Sequence, residues 1–162
     1  MTAAIHDRYE DSYLRKILRE CKTIAMVGAS ANWNRPSYFA MKYLLDRGYR
    51  VIPVNPAAAG QEIMGQNVYA ALAELPVKAD MVDIFRNSEA AGPITDDAIA
   101  HGAKVVWMQL GVRNDDAARR AEAAGLRVVM NRCPKIEHSR LAGTIEWHGI
   151  ASGVISSRKR AL

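Results

Sequence analysis

"IAMVGASANWNRPSYFA", residues 24–40, is the stretch on which the reading of this chain turns. A short apolar run ending at Val27 meets Gly-Ala-Ser and then a segment with Pro36 at its head. Uninterrupted apolar strands are those buried on both faces of a parallel sheet. Proline suits the first position of a helix, where no N–H is needed. A strand that passes through a tight glycine turn into a helix opens a nucleotide-binding α/β domain, because peptide N–H groups at the helix start can receive phosphate oxygens. The G-x-G-x-x-G fingerprint of dinucleotide binding is missing, since only Gly28 of its three glycines is present.

Reading outward, the same alternation repeats. "RVIPVNP" (50–56) is the second strand, in which Pro53 removes one ladder donor and leaves pairing incomplete. "AAAGQEIMGQN" reads as a loop, and "VYAALAEL" as a short helix ended near Pro76. "ADMVDIFR", "KVVWMQLG" and "LRVVMNRC" are the third, fourth and fifth strands. Between them lie a helix around "TDDAIAHG" and another in "NDDAARRAEAAG", capped by Asn114 and stopped by Gly125. Upstream, "DSYLRKILREC" sets Tyr13, Leu14, Ile17, Leu18 and Cys21 on one helical stripe, with Asp11 or Ser12 as its cap. The "EWHGIASGVISSRKRAL" tail carries no assignment.

This pattern predicts one α/β domain over residues 1–162, doubly wound, with a mainly parallel five-stranded sheet and helices on both faces. The expected strand order is 3-2-1-4-5. Ligands of such sheets bind beyond the carboxyl ends of the strands, at the switch point.

Bulk properties agree. At 162 residues the chain can bury one full core, and 49% apolar with 24% charged residues is ordinary for a soluble domain. A net charge of +5 suits an anionic small ligand. The basic triplet Arg158-Lys159-Arg160 reads as a solvated end rather than a nucleic-acid contact. Cys21 and Cys133 form no framework, and neither a membrane span nor a signal-peptide core is evident, so a reduced, cytoplasmic protein is expected.

The strand ends supply the candidate site. Gly28 permits a sharp turn and close ligand approach, Ala29 and Ser30 keep it small, and N–H groups there and near Ser37 can donate to phosphate. Arg35 can add a charge-assisted contact. The alternative is a tight turn that binds nothing. Where a dinucleotide enzyme carries Asp or Glu for the ribose diol, this chain has Asn55, which argues against NAD and tolerates a phosphorylated ribose better than a carboxylate. Arg86 ends the third strand, as a ligand contact or a snorkelling surface arginine. Gln109 is a hydrogen-bonding candidate, and Trp107 reads as core. Cys133, with Lys135, Glu137 and His138 close in sequence, is a weak candidate nucleophile. The four histidines show no metal-ligand spacing, so no metal site is expected.

With these residues in view, the chain resembles the stand-alone CoA-binding domain family. This is a Rossmann-like family related to the N-terminal domain of the succinyl-CoA synthetase α subunit and of ADP-forming acyl-CoA synthetases. "VGAS", "RPSYFAMKYLLDRGYRVIPVNP", "GQEIMGQNVYAALAELP", "VDIFR", "VVWMQLG" and "AGLRVVMNRCPKIEH" carry the likeness, in order, over about residues 12–141, leaving 142–162 as an extension. The resemblance implies a CoA or acyl-CoA ligand with its pyrophosphate over Gly28–Ser30. It also implicates Ser37-Tyr38, Asn55-Pro56 and Arg86. The synthetases need a second domain bearing a phosphorylatable histidine and a partner subunit, for which 162 residues leave no room. The expectation is therefore CoA binding without catalysis. Two alternatives stand beside it: CoA thioester or disulfide chemistry at Cys133, and an NAD-binding oxidoreductase or redox sensor. Acyl group, protein partner and oligomeric state stay open.

Overall fold

The computed structural model describes residues 6–151, and for 143–151 only the backbone path. The basic triplet Arg158-Lys159-Arg160 lies outside them. In chain order the elements are α1 (Asp11–Glu20), β1 (Thr23–Val27), α2 (Pro36–Asp46), β2 (Arg50–Val54), β3 (Glu62–Ile63), β4 (Gln66–Asn67), β5 (Met81–Ile84), α3 (Ser88–His101), β6 (Val105–Met108), α4 (Asp115–Ala123), β7 (Arg127–Val129) and α5 (Pro134–Ala151). Several boundaries follow from local chemistry. The side chains of Asn87 and Asn114 accept from Ala90 N–H at 2.7 Å and Ala117 N–H at 3.0 Å, capping α3 and α4. Gly102 ends α3 in the left-handed region. α1 has no side-chain cap, and its flanking residue is Glu10 rather than Asp11 or Ser12.

The doubly wound parallel sheet is present. Alternate strand residues feed two cores, as the two-residue period requires. Ile24, Met26, Met81, Val105, Trp107 and Val129 pack with α1, α2 and α5. Ala25, Val27, Val82, Ile84, Val106, Met108 and Val128 pack with α3 and α4.

The strand order differs from the expected 3-2-1-4-5. It is β2-β1-β5-β6-β7, so the third long strand pairs with β1, not with β2. Pro53 is the physical reason. Val54 turns its carbonyl toward β1, accepting from Gly28 N–H at 2.8 Å, so Pro53 faces the other edge of β2. A strand added there would find no donor at Pro53. The edge is closed instead by Tyr69, whose N–H donates to Pro53 at 3.1 Å and whose carbonyl accepts from Asn55 N–H at 2.9 Å. That use of the backbone also displaces the helix expected at "VYAALAEL". A single 3-10 turn at Leu72–Glu74 remains, after the β3–β4 hairpin.

Because the chain passes from β2 to the far side of β1, the switch point falls between β1 and β5.

Candidate functional site

A crevice of about 390 Å³ lies at that switch point, lined by Gly28, Arg35, Pro36, Ser37, Phe85, Arg86, Gln109, Leu110 and Val112. Its floor is where β1 and β5 end side by side, Phe85 N–H donating to the Val27 carbonyl at 2.8 Å. Gly28 has φ of +89°, and a Cβ there would stand 2.4 Å from the Phe85 carbonyl oxygen. Only glycine fits both demands. The corrected strand order sets Arg86 beside this turn, with its Cδ 3.0 Å from that same Cβ position. In the expected order two strand spacings would have separated them.

The turn after β1 is braced by its own side chains. Ser37, nearly buried at the start of α2, accepts from Ser30 N–H at 3.1 Å, and Ser30 Oγ accepts from Asn32 N–H at 3.1 Å. The Gly28 and Ser30 N–H groups are thus already given to protein acceptors. The Tyr38 and Phe39 N–H groups donate to the Arg35 carbonyl at 3.0 and 3.4 Å, so what the crevice offers an anion is the Ser37 N–H at the start of α2 and two guanidinium groups. Among the described residues Arg35 and Arg86 have no carboxylate partner and no acidic side chain lines the crevice.

Of the ten expected ligand residues, Gly28, Arg35, Ser37, Arg86 and Gln109 meet in this crevice. Ala29 is buried behind the turn and Ser30 stands beside it. Tyr38 faces a separate cavity with Lys42, Leu45, Asp46, Met64 and Gln66. Asn55 spends its amide internally: Nδ2 donates to the Ala29 carbonyl at 2.9 Å and Oδ1 accepts from Ala57 N–H at 3.0 Å. Pro56 is exposed at the head of the next turn. Phe85 and Leu110, strand-end residues outside the expected ligand set, and Val112 also line the crevice; as apolar residues flanking the expected ones, they carry no chemical signal of their own.

Cys133 is 6% exposed and is not among the crevice residues. Its sequence neighbours are engaged elsewhere: Lys135 over the Phe39 ring at 5.6 Å, Glu137 with Arg140 at 2.7 Å, and His138 Nδ1 with the Tyr43 hydroxyl at 2.9 Å. Trp107 is core, as expected, with Nε1 donating to the Arg132 carbonyl at 2.9 Å. Cys21 is buried, which pushes its thiol up to about 12. No group of three or more His, Cys, Asp or Glu among the described residues could hold a metal ion.

Two buried titratable groups lie beneath the helices. Asp83, in the middle of β5, is fully buried with neither carboxylate oxygen hydrogen-bonded, and burial alone raises its pKa well above the usual carboxylate range. An acid inside "MVDIF" was visible in the sequence, but its isolation was not. His138 is also fully buried, and burial, with Arg47 and Lys22 nearby, lowers it to about 4.

A larger cavity, about 480 Å³, lies against the outer edge of β7, lined among others by His6, Tyr9, Tyr13, Glu122, Arg127 and Val128. Around it Glu122 contacts His6 Nε2 at 2.6 Å and Arg127 pairs with Glu20 at 2.7 Å, and Arg8 and Glu10 also line it.

Residues 22–139 match the family model described as CoA binding domain. Among curated proteins, the uncharacterized protein YneT of Bacillus subtilis is 33% identical over 126 residues, 78% of this chain and 92% of its own. The α subunit of the ADP-forming acetate–CoA ligase I of Pyrococcus furiosus is 33% identical over 89 residues, 52% of this chain but only 19% of that subunit. A hypothetical protein of Pyrococcus horikoshii of solved structure superposes with a TM-score of 0.80 at 42% identity, covering 85% of this chain and 95% of that one. The chain belongs to the CoA-binding domain family.

Proposed function

We propose that this member of the CoA-binding domain family binds CoA or an acyl-CoA in the β1–β5 crevice, as a ligand-binding module without catalysis of its own. The observation that carries the reading is a cationic crevice at the switch point. Arg35 and Arg86, both free of carboxylate partners among the described residues, flank a glycine turn at the start of α2. CoA is a polyanion through its pyrophosphate and its 3′-phosphate. Guanidinium groups pair with phosphate strongly and with directional hydrogen bonds. The family and the ligase relative, named for its reaction with CoA, support the same ligand.

Two features of the site support the reading without catalysis. Among the described residues the crevice has no nucleophile with an adjacent base, and Ser37 Oγ is occupied as an acceptor. Cys133 stands apart from the crevice, which leaves CoA thioester chemistry there without a structural argument. A cytoplasmic location, with both cysteines reduced, goes with this reading.

Isothermal titration of ligand-stripped protein with CoA, and with NAD as control, tests it. Micromolar binding of CoA and none of NAD is expected. Binding of NAD alone, or of neither, rejects the proposal.

A further inference from the structure

Between β6 and α4 the chain turns at Gln109–Val112, where Val112 N–H donates to the Gln109 carbonyl at 2.8 Å. Gly111, third in the turn, has φ of +81°. A left-handed third residue marks a type II turn, whose central peptide faces opposite to its direction in type I. Leu110 and Val112, on either side of Gly111, line the crevice, so the direction of the 110–111 peptide shapes that wall.

The residue that holds this peptide lies outside the crevice. Asn131, after β7, has φ of +56°, a conformation that asparagine tolerates better than most residues. Its Oδ1 accepts from Gly111 N–H at 2.7 Å, and its own N–H donates to the Val112 carbonyl at 3.0 Å. On the α3 side, Ser88 Oγ accepts from Arg113 N–H at 3.0 Å and donates to the Gly111 carbonyl at 3.4 Å, which steadies the far end of the loop. Turning the 110–111 peptide over would break the Asn131 bond and set the Leu110 carbonyl, a second acceptor, toward the Asn131 oxygen.

Resting on the CoA reading, we propose that Asn131 is a positioning residue for the crevice. By holding Gly111 N–H it keeps the 110–111 peptide in one direction and the Leu110–Val112 wall in its binding shape. Without that hold the turn is shared between two peptide directions. Apparent affinity then falls with the fraction of molecules whose wall is in the binding shape.

Titration of CoA into the wild type, Asn131→Gly, Gly111→Ala and the double variant tests this, alongside thermal melts and amide exchange at Gly111. Asn131→Gly leaves the left-handed backbone unstrained and removes only the acceptor. A Cβ at Gly111 would meet nothing within 4 Å, so Gly111→Ala acts through the turn conformation alone. Each single variant should weaken CoA by about threefold. The double variant should bind no worse than the weaker single one, because both act on one peptide. In Asn131→Gly the Gly111 amide should exchange faster while the melting temperature stays that of the wild type, and Asn131→Asp, which keeps an acceptor, should restore slow exchange. Unchanged CoA affinity in Asn131→Gly, losses that add in the double variant, or a loss that only follows a lower melting temperature overturns the assignment and leaves the CoA reading standing. A wild type that binds no CoA overturns the CoA reading and this inference with it.

Discussion

The side-chain amide of Asn55 donates to the Ala29 carbonyl across 2.9 Å, tying the end of β2 to the turn that follows β1. Its other end accepts from Ala57 N–H, so one residue holds two strand ends in register. Asn55→Asp keeps the shape but replaces the donor with an acceptor facing a carbonyl. About 1–3 kcal/mol of stability should be lost, with the Gly28 turn loosened and CoA affinity lowered. Urea unfolding and titration on the same sample check both. An aspartate variant as stable as the wild type would show that the tie contributes nothing.

Gly28→Ala should be more damaging. The added Cβ meets the Phe85 carbonyl oxygen at 2.4 Å, in a backbone conformation with φ of +89°. Overpacking and backbone strain together should cost about 2–4 kcal/mol. Separating the ends of β1 and β5 should also remove ligand binding. Denaturant midpoints measure the first effect, and retention of tight CoA binding by a folded G28A protein would contradict the second.

Arg35→Gln and Arg86→Gln should leave stability within about 0.5 kcal/mol of wild type, because both side chains are on the surface without carboxylate partners among the described residues. Each should weaken CoA by about tenfold, and the loss should shrink as salt is raised, since screening already weakens the wild-type contact. Titrations at two ionic strengths decide the matter; a variant that keeps full affinity at low salt removes that arginine from the site.

Asp83 and His138 set opposed pH dependences. The pKa of Asp83 is raised on folding, so its contribution is intact below the unfolded value near 3.8 and is lost as pH rises toward the folded pKa. The slope is about 1.4 kcal/mol per pH unit. His138 is lowered from 6.5 to about 4, so its contribution is intact above 6.5 and is lost as pH falls to about 4. As pH rises from about 4 the two slopes oppose each other. Asp83→Asn should therefore gain stability with pH between about 4 and 6.5, and His138→Gln should lose it. Urea unfolding at intervals of pH reads both slopes; an Asp83→Asn profile parallel to the wild type would show that the carboxyl does not stay protonated in the fold.

Much of the molecule was legible from local chemistry. Pro36 heads α2, Asn114 caps α4, and the apolar runs at 23–27, 50–54, 81–84, 105–108 and 127–129 became the five long strands. These features depend on the dihedral preferences and hydrogen-bonding groups of neighbouring residues, which a sequence displays directly. Five of the ten expected ligand residues share the crevice because they were sought at strand ends and at the start of the helix after the first strand, where parallel sheets place their sites.

Other features depended on which residues meet across the sheet. Pro53 announced a missing donor, but only the pairing of Val54 with Gly28 turned that gap to the outer edge of β2, excluded a strand there and sent the third strand to the other side of β1. That one choice brought Arg86 against Gly28 and made the crevice. Asn55 lies at a strand end as expected, yet the Ala29 carbonyl and the Ala57 N–H take up its amide. Local sequence determined the strands, the helices and the glycine turn, because those follow from backbone torsions and residue periodicity. The order of the strands, the spent amide of Asn55 and the hold of Asn131 on Gly111 were decided by tertiary packing, because hydrogen-bond partners distant in the chain are chosen only when the sheet assembles.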